Sequence, residues 1–134
     1  MPLKFERAIP ILRMFDVDKA REFYLDYLGF SVEFQHRFHD GAPLFMGVVR
    51  DGLQLFLSEH HGDGTPGTHV IVQMSGIEEF HRTLLAKNYR YMNPGIEVTE
   101  WGTREVCVVD PFNNQIVFSE QVARVTPAPD QIRK

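Results

Sequence analysis

Imidazole and carboxylate side chains gather in one short stretch, His60-His61-Gly62-Asp63, with His69 close behind. Imidazoles with a carboxylate are donors that hold zinc or nickel, so a metal site is one reading of this group. Adjacent histidines, however, point different ways in most loop conformations, and Gly62, Gly64 and Gly67 make this loop flexible. The preferred reading is a solvated connection in which Asp63 makes turn hydrogen bonds. His36, His39 and His81 read as surface residues of strands and a helix. Gly62-Asp63-Gly64 is followed by neither a Lys-Ser/Thr pair nor a helix start, so it is no phosphate loop. No Ser-His-Asp or Cys-His set stands at a recognised catalytic spacing. Cys107 is the single cysteine. It excludes an internal disulfide and a thiolate zinc cage, and within Glu105-Val106-Cys107-Val108-Val109 it reads as a buried, inert thiol. What remains is chemistry by stacking. Trp101 lies in the polar, turn-prone stretch Thr99-Glu100-Trp101-Gly102-Thr103, where a core residue is not expected. The 11 phenylalanines are many for 134 residues, more aromatic surface than a core of this size needs.

Two similar runs of elements would position these residues. Arg7 to Met14 reads as a strand, with Pro10 implying an edge or a bulge. Asp16 or Asp18 can cap a helix. Ala20, Phe23, Tyr24, Tyr27 and Leu28 then form its apolar stripe, and Gly29 follows as the terminating residue. Val32, Phe34, His36 and Phe38 alternate with Glu33, Gln35, Arg37 and His39, which is strand periodicity. After the turn Asp40 to Pro43 come strands at Leu44 to Arg50 and Leu53 to Ser58, joined by the hairpin signal Asp51-Gly52. Residues 59–67 read as a linker, and the pattern restarts. His69 to Gln73 is a strand. Ser75 with Glu78 is a capping box. Ile77, Phe80, Leu84 and Leu85 make a helical stripe, and Tyr89 to Met92, Arg104 to Val109 and Gln115 to Ser119 are strands.

The order is therefore βαβββ twice, at about 7–58 and 68–120, with a loose tail over 121–134. Glu22-Phe23-Tyr24 is answered by Glu79-Phe80-His81, and Leu55-Phe56-Leu57-Ser58-Glu59 by Ile116-Val117-Phe118-Ser119-Glu120. Matching order makes a repeat the better reading. A module of this size cannot cover both faces of its sheet, so two must pair within one α+β domain, 1–120, and leftover edges favour a homodimer.

Composition narrows the partners. A net charge of −4 and a pI near 5.8 lack the basic face that nucleic acid requires. No apolar run approaches the roughly 20 residues of a membrane span. The first residues, Met1-Pro2-Leu3-Lys4-Phe5-Glu6, do not resemble a secretion signal, and a cytoplasmic location is expected.

Asp16-Val17-Asp18-Lys19-Ala20-Arg21-Glu22-Phe23-Tyr24 with Leu28-Gly29-Phe30, and the hairpin Val109-Asp110-Pro111-Phe112-Asn113-Asn114, resemble the vicinal oxygen chelate (glyoxalase) superfamily over about residues 7 to 120. Ile9-Pro10, Gly47-Val48-Val49-Arg50-Asp51, Leu55-Phe56-Leu57-Ser58 and Glu100-Trp101-Gly102 are similar to its bleomycin-resistance branch. That resemblance implies a dimer with two crevices at its interface that sequester a bleomycin-like glycopeptide antibiotic without chemistry. It implies aromatic crevice residues at Phe34, Phe45 and Trp101, with Phe38, Ser58, Glu100 and Gly102 near them. Glu59 and Glu97 are further candidates for the drug's cation. The enzymes of the superfamily hold a divalent metal with His, Glu or Gln. Their first-strand and last-strand positions fall here at about Ile9 and Val117, which cannot ligate. His69 is the one strong match, with Gln54 a weaker one. The expectation is a binder with no metal and no cofactor. The alternatives are a metal-dependent lyase, isomerase or dioxygenase built around His69, or a binder of an unrelated metabolite.

Overall fold

The computed structural model describes residues 2–122. The first strand is only β1 (Ile11–Arg13), shorter than the run from Arg7 to Met14. Pro10 has no N–H, although its carbonyl still accepts from Phe56 N at 3.0 Å. Asp16 caps α1 (Val17–Arg21), its side chain accepting from Lys19 N, and the helix widens into a π-helical segment over Glu22–Tyr27. Leu28 N then reaches Phe23 O at 2.9 Å, five residues back. The expected stripe is intact despite that widening, with Ala20, Phe23, Tyr24, Tyr27 and Leu28 all buried.

Strands β2 (Ser31–His36), β3 (Phe45–Arg50) and β4 (Leu53–Ser58) complete a sheet of order β1-β4-β3-β2, with β1 parallel to β4 and the other pairs antiparallel. Asp51 and Gly52 have φ of 50° and 84°, as a tight two-residue hairpin requires. Leu12, Met46, Val48, Leu55 and Leu57 are fully buried on one face of this sheet, the face toward the helix, where Arg21 reaches Met46 Sδ.

The second set repeats the order as β5-β8-β7-β6. It comprises β5 (His69–Gln73), α2 (Ile77–Ala86), β6 (Glu97–Val98), β7 (Thr103–Val109) and β8 (Gln115–Gln121). The backbone echo is close: Met14 N bonds Ser58 O at 2.9 Å, and Met74 N bonds Ser119 O at 2.9 Å. Phe80 of α2 packs on Phe118 of β8 with ring centroids 4.6 Å apart.

Several expectations are corrected here. The capping box does not form, because Gly76 enters α2 at φ 82° and displaces Ser75 from the cap. The Glu120 carboxylate accepts from Ile77 N at 2.9 Å instead, and Glu78 pairs with Arg104. Leu85 is exposed, so the buried stripe of α2 is Ile77, Phe80 and Leu84. Tyr89 to Met92 is a turn rather than a strand. Asn88 at φ 52° ends the helix and Tyr89 packs against Tyr91, so β7 takes Glu97–Val98 as its edge partner. Cys107 is exposed, not buried, because Val106 and Val108 take the inward positions. The tail expected from 121 begins inside β8, and residues 123–134 lie outside the described residues.

The chain forms two compact units: residues up to Val70 with Val109–Gln115, and Ile71–Val108 with the described residues from Ile116 onward. Within the first unit, Asp110 is buried and accepts from Tyr24 Oη (2.6 Å), Phe112 N (2.9 Å), Asn114 N (2.8 Å) and Asn114 Nδ2 (2.9 Å). Asn114 Nδ2 also donates to Arg13 O, tying this turn to the end of β1. Burial first, then the Asp110 charge and hydrogen bond, push the Tyr24 hydroxyl pKa well above its ordinary value of 10.0. No helix of the described residues is long and apolar enough to cross a membrane.

Candidate ligand-binding face

The helix covers one face of the first sheet, and the other face carries a layer of rings. Strict alternation would put Val32, Phe34 and His36 on one side of β2. The register shifts instead between Val32 and Phe34: Val32 pairs with the buried Val48, while Phe34 pairs with Gly47 and His36 with Phe45. The bulge turns Phe34 over to the side opposite Val32, a common use of an extra residue in a strand. There Phe34 lies nearly parallel to Phe45 (centroids 6.0 Å, 26°) and edge-on to Phe56 (5.2 Å, 79°). Phe45 and Phe56 meet at 5.4 Å. Phe34 is 37% exposed, and Phe45 and Phe56 are half-buried. The three rings touch one another and remain part-open to solvent, which leaves flat aromatic surface available on this face.

Around that layer the polar groups are occupied. Gln54 accepts from Arg7 Nε and donates to Glu33, so its amide serves surface contacts. Ser58 is fully buried; its hydroxyl donates to Asp63 Oδ2 (2.9 Å) and accepts from His60 N (3.0 Å). Its proton is therefore engaged within the loop. Phe38 lies beyond the end of β2, 76% exposed, edge-on to His36 (4.8 Å) and His60 (5.9 Å). Glu59 accepts from Leu44 N and faces Arg37 at 3.9 Å, so it already has a cation.

In the second unit the β6–β7 turn is built by threonines. Thr99 Oγ1 and Thr103 Oγ1 are 2.6 Å apart and Thr99 N bonds Thr103 O. Gly102 takes φ 90°, and Trp101 stands out of the turn at 60% exposure beside the exposed Glu100. On β7 and β8, Glu105 Oε2 accepts from Thr103 Oγ1 and Ser119 Oγ, each at 3.1 Å. Glu97 pairs directly across from Glu105.

The metal donors of the superfamily's enzymes do not fit this chain. Val117 is a hydrocarbon in β8, Ile9 another before β1, Gln54 is engaged as above, and His69 is exposed. Among the described residues no group of three His, Cys, Asp or Glu side chains is placed to hold a metal.

Phe56 and Gly47 in the ring layer, and Asp110 in the buried network, were not singled out from the sequence. Phe56 had a signal: it is an aromatic on the polar side of a strand whose other side is Leu53, Leu55 and Leu57. The Asp110 network had only its turn-rich sequence.

A family model described as glyoxalase superfamily protein matches residues 2–124. The chain is 26% identical to the bleomycin resistance proteins of Geobacillus stearothermophilus and Staphylococcus aureus, over 87% of its own length and 97% of theirs. Among solved structures it is similar to a bleomycin-binding protein from bleomycin-producing Streptomyces verticillus, complexed with copper(II)-bleomycin. The TM-score is 0.67 at 26% identity, covering 92% of this chain and all of that one. The bleomycin resistance determinant of transposon Tn5 shares the fold, with a TM-score of 0.67 at 23% identity over 87% of this chain and 98% of that one.

Proposed function

We propose that this chain, which belongs to the glyoxalase superfamily, is a binding protein rather than an enzyme. In this reading it sequesters a planar, conjugated, cationic antibiotic of the bleomycin type, with no metal of its own. The observation that carries this reading is the solvent-open ring layer of Phe34, Phe45 and Phe56. A flat heteroaromatic stacks on such rings, and a cation is drawn to their faces and to nearby carboxylates. Full-length similarity to bleomycin resistance proteins supports the same ligand class. Phe34 and Phe45 are assigned to stacking, as is Trp101 in the second unit. Glu100 is assigned to the ligand's positive charge, Gly102 to the turn that presents Trp101, and Phe38 to the rim. Ser58 shapes the neighbouring loop. The working form is a cytoplasmic homodimer that lowers the free drug concentration by mass action.

The test uses the single tryptophan. Metal-free and copper(II)-loaded bleomycin are titrated into the protein while Trp101 fluorescence is followed, and Trp101→Phe is followed by calorimetry. Saturable quenching at one drug per chain, weakened by the substitution, is expected. Absence of binding by both methods at micromolar protein would overturn the reading.

A further inference from the structure

Gly47 stands in the middle of β3, flanked by the buried Met46 and Val48. Its backbone makes no demand for glycine: eight described glycines occupy the left-handed region and Gly47 is not among them. A mid-strand glycine weakens a strand, so something other than φ must account for it. The space above it does. A Cβ placed at Gly47 would fall 2.8 Å from both Cδ2 and Cζ of Phe34, and closer still to Cε2. The Phe34 ring lies in the volume that a side chain at position 47 would occupy.

We propose that Gly47 is a positioning residue for ligand stacking. Its missing side chain lets the ring that the bulge has turned over lie down on the sheet, nearly parallel to Phe45. The ligand class this favours is a thin, planar aromatic group, in agreement with the reading under Proposed function, on which this inference rests. A methyl at position 47 lifts the ring, and because Phe34 is part-exposed the ring swings outward while the strand stays paired. Covering a glycine with an aromatic ring also stabilises a sheet, so the test must separate stacking from simple strand support.

Gly47→Ala, Phe34→Leu and the double substitution are compared by calorimetric titration with copper(II)-bleomycin. Gly47→Ala is expected to weaken binding about tenfold, similar to Phe34→Leu. The double variant should be no weaker than Phe34→Leu alone, because Gly47 acts only through the ring. Unchanged affinity in Gly47→Ala, or losses that multiply in the double variant, would overturn the proposal. If the unsubstituted protein takes no bleomycin, the proposed ligand is wrong, and the positioning role is still decided by 19F spectra of 4-fluorophenylalanine-labelled protein. The Phe34 resonance, identified by its loss in Phe34→Leu, must then move in Gly47→Ala; an unmoved resonance overturns the role. Should Gly47→Ala fail to fold, the double variant, relieved of the ring, is expected to fold. Failure of both would mean that the glycine serves the strand alone.

Discussion

The two sheets share one strand order and differ in what the faces opposite their helices carry. Phe56 and Ser58 of β4 correspond to Val117 and Ser119 of β8 in the internal echo. In the first sheet the ring of Phe56 joins Phe34 and Phe45, and the Ser58 hydroxyl is drawn into the following loop by Asp63. In the second, a small hydrocarbon replaces the ring, and the Ser119 hydroxyl serves the Glu105 carboxylate. The following acids also part: Glu59 accepts from Leu44 N, and Glu120 accepts from the first N–H of α2. Repeating a backbone pattern fixes where side chains stand, while their chemistry is free to diverge into an aromatic face and a polar one.

The largest expected effect breaks the support of the first unit. Asp110→Ala leaves the Tyr24 hydroxyl and two backbone N–H groups without their acceptor and should cost about 3 kcal/mol or more, read as a lower midpoint in urea unfolding. The same network sets an alkaline limit. The Tyr24 pKa is raised in the folded state above 10.0, so above that pH the unfolded chain loses the proton more readily than the folded one. The Tyr24 contribution to stability is then level below pH 10 and falls above it, and Tyr24→Phe should lessen the alkaline fall in a pH series of thermal melts.

Smaller effects separate the two faces. Phe45→Ala should weaken copper(II)-bleomycin binding about tenfold, whereas Glu105→Gln should change it by less than about threefold. Equal losses would mean that the polar face contributes as much as the rings. A modest effect on stability alone is expected of Glu120→Ala, which removes the acceptor at the start of α2. About 1 kcal/mol of stability should go, with drug affinity unchanged.

Much of this was legible in the sequence, where local physics decides alone. The stripe from Ala20 to Leu28 and the Asp51-Gly52 turn depend on neighbours a few residues away and stand as read, and of the two aspartates that could cap α1 it is Asp16 that does. What was not legible depends on partners far along the chain. The acceptor for the first N–H of α2 is Glu120, 43 residues beyond Ile77, rather than the nearby Ser75. In Tyr89 to Met92 the two tyrosine rings pack on each other, and the sheet edge goes to Glu97–Val98. In the ring layer, Phe34 and Phe45 were expected, but alternation put Phe34 with Val32, and only the pairing register reveals the bulge that parts them. Gly47 reads as a family motif residue until the ring above it is seen.

The central claim is that the ring-bearing face of the first sheet holds the ligand. It is tested most directly by titrating metal-free bleomycin into 4-fluorophenylalanine-labelled protein, with resonances assigned by single Phe→Leu substitutions. The signals of Phe34, Phe45 and Phe56 should shift together and saturably, while that of Phe118, buried against α2, stays in place. Saturable binding that leaves the three ring signals unmoved would contradict it.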